Sequence, residues 1–181
     1  MSPLLRLWLL AGILSASSVA LAQGAAGFGD EERDWGVAPP PQLRSANYHG
    51  RTPTTIPGAQ VVKTMELKSM LESAPSPFLI DVLSGPAHRT LLGALWLHNG
   101  GLGDFDALEE KRYLDTIALI AGHDKSRQLV FFCSSARCWL SYNAASRAVR
   151  AGYTNVYWYR GGIEAWRAAK LPMTGSDPFP W

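Results

Sequence analysis

From about Gln60 onward, short apolar runs alternate with segments of helical period. Phe78-Leu79-Ile80-Asp81-Val82 is nearly continuous in apolar character, as a strand buried on both faces requires. Leu129-Val130-Phe131-Phe132 is the strongest run and leads straight into Cys133. Val156-Tyr157-Trp158-Tyr159 predicts a further strand, and Leu95-Trp96-Leu97 a shorter one. Between these runs, Leu67, Met70 and Leu71 share one face of a short helix that Thr64 can cap. Leu114, Ile117, Ala118 and Ala121 recur at helical spacing. After the cysteine, Ser141 can cap a helix with a small-residue stripe, Ala144, Ala145, Ala148 and Val149, ending at Gly152. Gly161-Gly162 predicts a turn, and Ile163 to Ala169 a last helix. Strands alternating with helices predict an α/β fold with a mainly parallel central sheet and helices on both faces.

The ends of the chain read differently. Arg6 precedes an apolar stretch from Leu7 to Leu14, and Ala20-Leu21-Ala22 forms a small-residue cleavage pattern. Residues 1–22 are therefore expected to be a signal peptide, cut after Ala22, which places the protein in a bacterial periplasm. No later stretch is long and apolar enough to span a membrane. Residues 23–58 contain six Gly and five Pro without a hydrophobic period, which predicts a linker or a wrap-around arm. The folded domain is expected over 59–175, with a tail at 176–181. The 181 residues are 47% hydrophobic and 18% charged, with a net charge of +2. That balance excludes bulk disorder and the basic face of a nucleic-acid binder.

One segment carries chemistry: Cys133-Ser134-Ser135-Ala136-Arg137-Cys138-Trp139-Leu140-Ser141. It joins a buried strand to a helix, and ligand crevices of open α/β sheets lie at such carboxyl ends. Loop amides and a helix N-terminus favour a thiolate at Cys133 and an anion attached to it. Ser134, Ser135, Ala136, Arg137 and Trp139 would line the cradle, with Asp81 and Ser141 in structural support. This is what sulfur transfer needs: a nucleophilic thiolate, a place for its persulfide, and a small sulfur-containing anion or protein thiol as partner. A buried core thiol is the plainer alternative for Cys133. A cysteine phosphatase is excluded, because C-x5-R is absent and Arg137 stands too close to Cys133. Trp139, with part of Tyr157-Trp158-Tyr159, is a candidate apolar surface beside the loop.

At its C-terminal end the chain resembles the rhodanese family. The residues that carry the likeness are Cys133, Ser141-Tyr142-Asn143-Ala144-Ala145, Gly152-Tyr153-Thr154-Asn155-Val156 and Gly161-Gly162-Ile163-Glu164-Ala165-Trp166, with Leu79-Ile80-Asp81-Val82 upstream. The resemblance covers residues 60–175 and implies a rhodanese-like domain with Cys133 as catalytic residue. A narrower resemblance links Cys138-Trp139, Trp96-Leu97-His98-Asn99-Gly100-Gly101 and Ile56-Pro57-Gly58-Ala59 to secreted rhodanese-like proteins of pyrroloquinoline quinone-dependent catabolism. That would imply a periplasmic quinoprotein or cytochrome system as partner. The chain departs from the family in its longer interval between Cys133 and Ser141, and in Leu83, where the family has arginine.

The second cysteine leaves three readings open. Cys133 can carry a persulfide alone. Cys138 can be a resolving thiol for exchange, if the Cα atoms come within about 7 Å. The pair can also be inert. A metal held by the two cysteines and His98 is a weaker idea, and no metal or cofactor is expected. The leading expectation is a sulfurtransferase using a Cys133 persulfide. The alternative is an accessory or thiol–disulfide protein of a quinone-dependent alcohol oxidation system.

Overall fold

The computed structural model describes residues 27–181; the signal segment and its cleavage point lie outside them. The elements run β1 (Gln60–Val61), α1 (Thr64–Leu71), β2 (Phe78–Asp81), β3 (Arg89–Leu91), β4 (Leu95–Trp96), α2 (Ala107–Ile120), β5 (Leu129–Phe132), α3 (Trp139–Arg150), β6 (Val156–Trp158), α4 (Gly162–Ala168) and β7 (Met173–Gly175). Five strands form one parallel sheet in the order β1-β6-β5-β2-β4. β3 and β7 pair antiparallel beside it.

Alternation along the central strands divides the core in two. Ile80, Leu129, Phe131 and Trp158 face one way, into a cluster with Tyr113 and Ile117 of α2 and Ala144, Ala145 and Ala148 of α3. Leu79, Val130 and Phe132 face the other way, with Leu67 of α1 and Ile163 and Trp166 of α4. Both faces are covered, so the strands are apolar throughout. The alanine stripe lets α3 lie on β5 and β6.

Two expected caps are not caps. α3 begins at Trp139, with Cys138 in the N-cap position, so Ser141 lies inside the first turn. The loop is correspondingly shorter than the sequence implied. Thr64 is the first residue of α1. Its amide and hydroxyl both donate to one carboxylate oxygen of Glu31, at 2.9 and 2.6 Å. The capping oxygen thus comes from a distant segment rather than from the neighbouring residue.

That segment, residues 27–58, has little regular structure but lies firmly on the domain. Arg160, almost wholly buried, follows β6 and donates to the carbonyls of Asp30, Glu31, Arg33 and Thr52 and to the Thr52 hydroxyl. Asn143 of α3 receives the Arg44 amide and returns a bond to the Arg44 carbonyl. At the other end, the Phe179 amide bonds the Trp96 carbonyl and the Trp181 indole bonds the His98 carbonyl. Among the described residues, no helix is long and apolar enough to cross a membrane.

Candidate functional site

β5 ends at Phe132 in the middle of the sheet, between β2 and β6. The next residue, Cys133, therefore emerges at the carboxyl edge with its Cα position set on both sides. The loop turns at once: the Cys138 amide bonds the Ser135 carbonyl at 3.0 Å. α4 closes the loop from below, where the amides of Ile163 and Glu164 bond the carbonyls of Cys133 and Ser134. Gly162 makes this approach possible. Its φ is +59°, and a Cβ there would overlap the Cys133 carbonyl oxygen.

The curled loop brings Cys133 and Cys138 together, with Cα atoms 6.3 Å apart, and they form a disulfide. Both are closed to solvent, at 1% and 0% exposure. The Ser141 oxygen lies 3.2 Å from Cys133 Sγ and accepts the Trp158 indole N–H at 3.0 Å. A disulfide sulfur has no proton, so Ser141 is the donor in the contact with Cys133. Ser141 is thereby held from two sides by buried groups.

This geometry corrects the expectation of a sulfurtransferase with a persulfide on Cys133. A persulfide forms on a free thiolate, and both cysteines of the chain are joined to each other. Three of the loop amides are bonded internally. The Arg137 amide bonds the Ser135 hydroxyl, the Cys138 amide bonds the Ser135 carbonyl, and the Trp139 amide bonds the Tyr48 carbonyl. The Arg137 guanidinium points away to Asp30, at 3.1 Å, rather than over the sulfur.

The remaining loop residues are placed as follows. Ser134 and Ser135 are half-buried. Ala136 is buried, and its carbonyl accepts the Thr52 hydroxyl at 2.6 Å. Trp139 is buried beneath the Arg44 guanidinium, 4.9 Å from the ring centre, so it forms no exposed apolar surface. Trp158 and Tyr159 are buried as well, on opposite faces of the sheet.

Asp81 is fully buried at the end of β2. It accepts from the Leu83 amide, the Thr90 hydroxyl and His88 Nε2, at 2.9, 2.6 and 2.8 Å. The bond to Asp81 holds His88 above its ordinary pKa, against the opposing effect of burial. Beside this pair a groove of about 620 Å³ opens, lined by Leu83, His88, Ser134, Ile163, Arg167 and Met173. His98 accepts the Gly85 amide and stands edge-on to Trp96. Among the described residues, no three His, Cys, Asp or Glu side chains gather as a metal site.

Residues 55–169 match the rhodanese-like domain family. The chain belongs to that family. A comparison with curated proteins finds no match for this rhodanese-like protein. Solved structures similar to it include a full-length protein from Lactobacillus plantarum, with 21% identity, 60% of this chain and 80% of that chain covered, and a TM-score of 0.44. Another is the polysulfide-sulfur transferase homodimer of Wolinella succinogenes, with 16% identity, 65% and 79% covered, and a TM-score of 0.47.

Sequence reasoning missed the contribution of the arm to this rhodanese-like site. Tyr48, His49, Gly50 and Thr52 all lie against the loop, and Arg160 ties down Thr52 together with Asp30, Glu31 and Arg33. Two signals pointed there: aromatic residues, Trp35 and Tyr48, within a stretch otherwise like a linker, and a lone arginine at the end of the apolar run Val156–Tyr159.

Proposed function

We propose that this rhodanese-like protein is a thiol–disulfide exchange protein whose working group is the Cys133–Cys138 pair. The observation that carries the reading is the disulfide itself, set at the strand-to-helix junction where the fold offers a reactive group. A partner dithiol would be oxidised to a disulfide while the pair takes up two electrons and two protons, with no further reactant. The Ser141 hydroxyl supports the reading, because it is already placed to stabilise a thiolate at Cys133 once the bond opens.

The setting belongs to the same proposal. The Arg6–Ala22 pattern supports secretion to the periplasm, where a resting disulfide persists. Cys138-Trp139 and Trp96–Gly101 support service to a quinone-dependent oxidation system, with a quinoprotein or cytochrome as partner.

The test is equilibration of the folded, signal-free protein in dithiothreitol buffers of graded potential, with acid quench, alkylation and intact mass. Both thiols are expected to appear together, in one reversible two-electron transition. A disulfide that resists reduction until the protein unfolds would make the pair structural and overturn the proposal. Opening the pair also removes a short cross-link, and is expected to lower stability by about 2 kcal/mol.

A further inference from the structure

Neither cysteine of the disulfide is open to solvent, and the arm is joined to the loop beside it in a particular way. His49 forms an isolated antiparallel bridge with Cys138. The Gly50 amide bonds the Arg137 carbonyl at 2.7 Å, and the Trp139 amide bonds the Tyr48 carbonyl at 2.9 Å. These two bonds flank the 49/138 pair, which makes it the non-hydrogen-bonded kind. Directly opposed residues of that kind have Cα atoms about 4.5 Å apart and Cβ atoms nearly as close. A disulfide spans Cα separations of roughly 4.4–6.8 Å. A sulfur at position 49 would therefore lie within bonding reach of Cys138. Both flanking bonds are main-chain to main-chain, so any extended chain can make them. On the far side of the disulfide, Cys133 Sγ has the Ser141 hydroxyl, fixed by Trp158, as a donor.

We propose that the loop edge Arg137–Trp139 is the pairing site for an extended, cysteine-bearing segment of a partner protein. Tyr48–Gly50 occupy it as an internal stand-in, and the partner's cysteine, lying where His49 lies, attacks Cys138 rather than Cys133. The inference rests on the exchange reading and names its partner class and its point of attack. The partner thiolate forms a bond to Cys138 Sγ, the Cys133–Cys138 bond breaks, and its electron pair goes to Cys133. Cys133 leaves as a thiolate that accepts the Ser141 O–H. A second partner thiol then attacks the partner's own sulfur and releases Cys138. The partner ends as a disulfide, and its two protons end on Cys133 and Cys138.

The full chain with His49→Cys tests the register without any added reagent. Non-reducing peptide mapping is expected to show a 49–138 disulfide, with Cys133 as the alkylated thiol. Gly50→Cys is the control, since a Cβ at Gly50 meets only Arg44 and Trp139 side-chain nitrogens at 3.9 Å, ordinary contacts. It stands opposite Arg137 and is expected to keep the native pair. A peptide copying residues 45–53, with cysteine in place of His49, serves as the partner in trans. It is expected to form a mixed disulfide with wild-type Cys138 about tenfold faster than glutathione does, because it can restore the two main-chain bonds that the displaced arm gives up and glutathione cannot.

An intact 133–138 pair in His49→Cys, a 49–133 link, equal exchange in Gly50→Cys, or a peptide no faster than glutathione would each overturn the pairing site. If wild type still reduces reversibly, the exchange reading survives those results. If wild-type disulfide cannot be reduced in the folded protein, that reading fails first.

Discussion

The N-termini of α2 and α3 solve one problem in two ways. A helix start leaves backbone N–H groups without partners. At α2 the answer is local: Asp106 accepts from the amides of Leu108 and Glu109, both at 2.8 Å, and Glu109 accepts the Asp106 amide in return. At α3 the N-cap residue is Cys138, whose side chain makes no capping bond. The first helical amide, that of Trp139, goes instead to the Tyr48 carbonyl of the arm. α1 is intermediate, since its first amide goes to Glu31, also in the arm, while Glu66 returns to the Lys63 amide. A helix that caps itself needs nothing else. One whose cap position holds a disulfide sulfur depends on a distant segment, and its stability is then tied to whatever else that segment does.

The sharpest way to break the contrast is to free the arm. Arg160→Met keeps the length of the side chain but abandons four carbonyls and the Thr52 hydroxyl. Each stranded buried group costs about 1–3 kcal/mol, so a loss of about 3 kcal/mol or more is expected in urea denaturation. The same variant is expected to expose the arm to limited proteolysis near Tyr48 while leaving the α2 region protected.

Glu31→Ala comes next. It removes the acceptor for Thr64 and for the Phe28 amide, and a loss of about 2 kcal/mol is expected. Asp106→Ala is the matched lesion at the self-capped helix, with an expected loss of about 1 kcal/mol. Disulfide exchange rates are expected to change in the first two variants and to stay at the wild-type value in Asp106→Ala. Equal exchange in all three would show that the arm does not govern the loop.

The smallest effect concerns the far side of the loop. The folded-state pKa of His88 is raised above the ordinary 6.5, chiefly by the bond to Asp81. Its contribution to stability is therefore complete below about pH 6.5 and is lost as the pH rises through the raised value. Thermal denaturation of wild type is expected to weaken over that interval. In His88→Gln that part of the slope is expected to vanish, with exchange unaffected.

Local pattern made much of this protein legible. The apolar runs at Phe78–Val82 and Leu129–Phe132 became central strands because burial on both faces admits few other residues. The alanine stripe marked the face of α3 that meets the sheet. Cys133 could be placed at the strand-to-helix junction because a strand that ends in the middle of a parallel sheet must deliver its next residue to the carboxyl edge. The helix starts were less legible. Ser141 and Thr64 have the chemistry of caps, but each is claimed by a buried partner: Cys133 and Trp158 for one, Glu31 and Tyr159 for the other.

By itself the sequence determined the α/β order, the two-sided sheet and the position of the cysteine loop, since these follow from periodicity within a few residues. Only the tertiary structure decided what the loop can do. The disulfide depends on how tightly the loop curls between β5 and α3. Three loop amides, those of Arg137, Cys138 and Trp139, turn to Ser135 and Tyr48. The arm that pairs with the loop is anchored by Arg160. Such contacts join residues far apart in the chain through main-chain groups that every residue carries, so no local pattern of side chains records them.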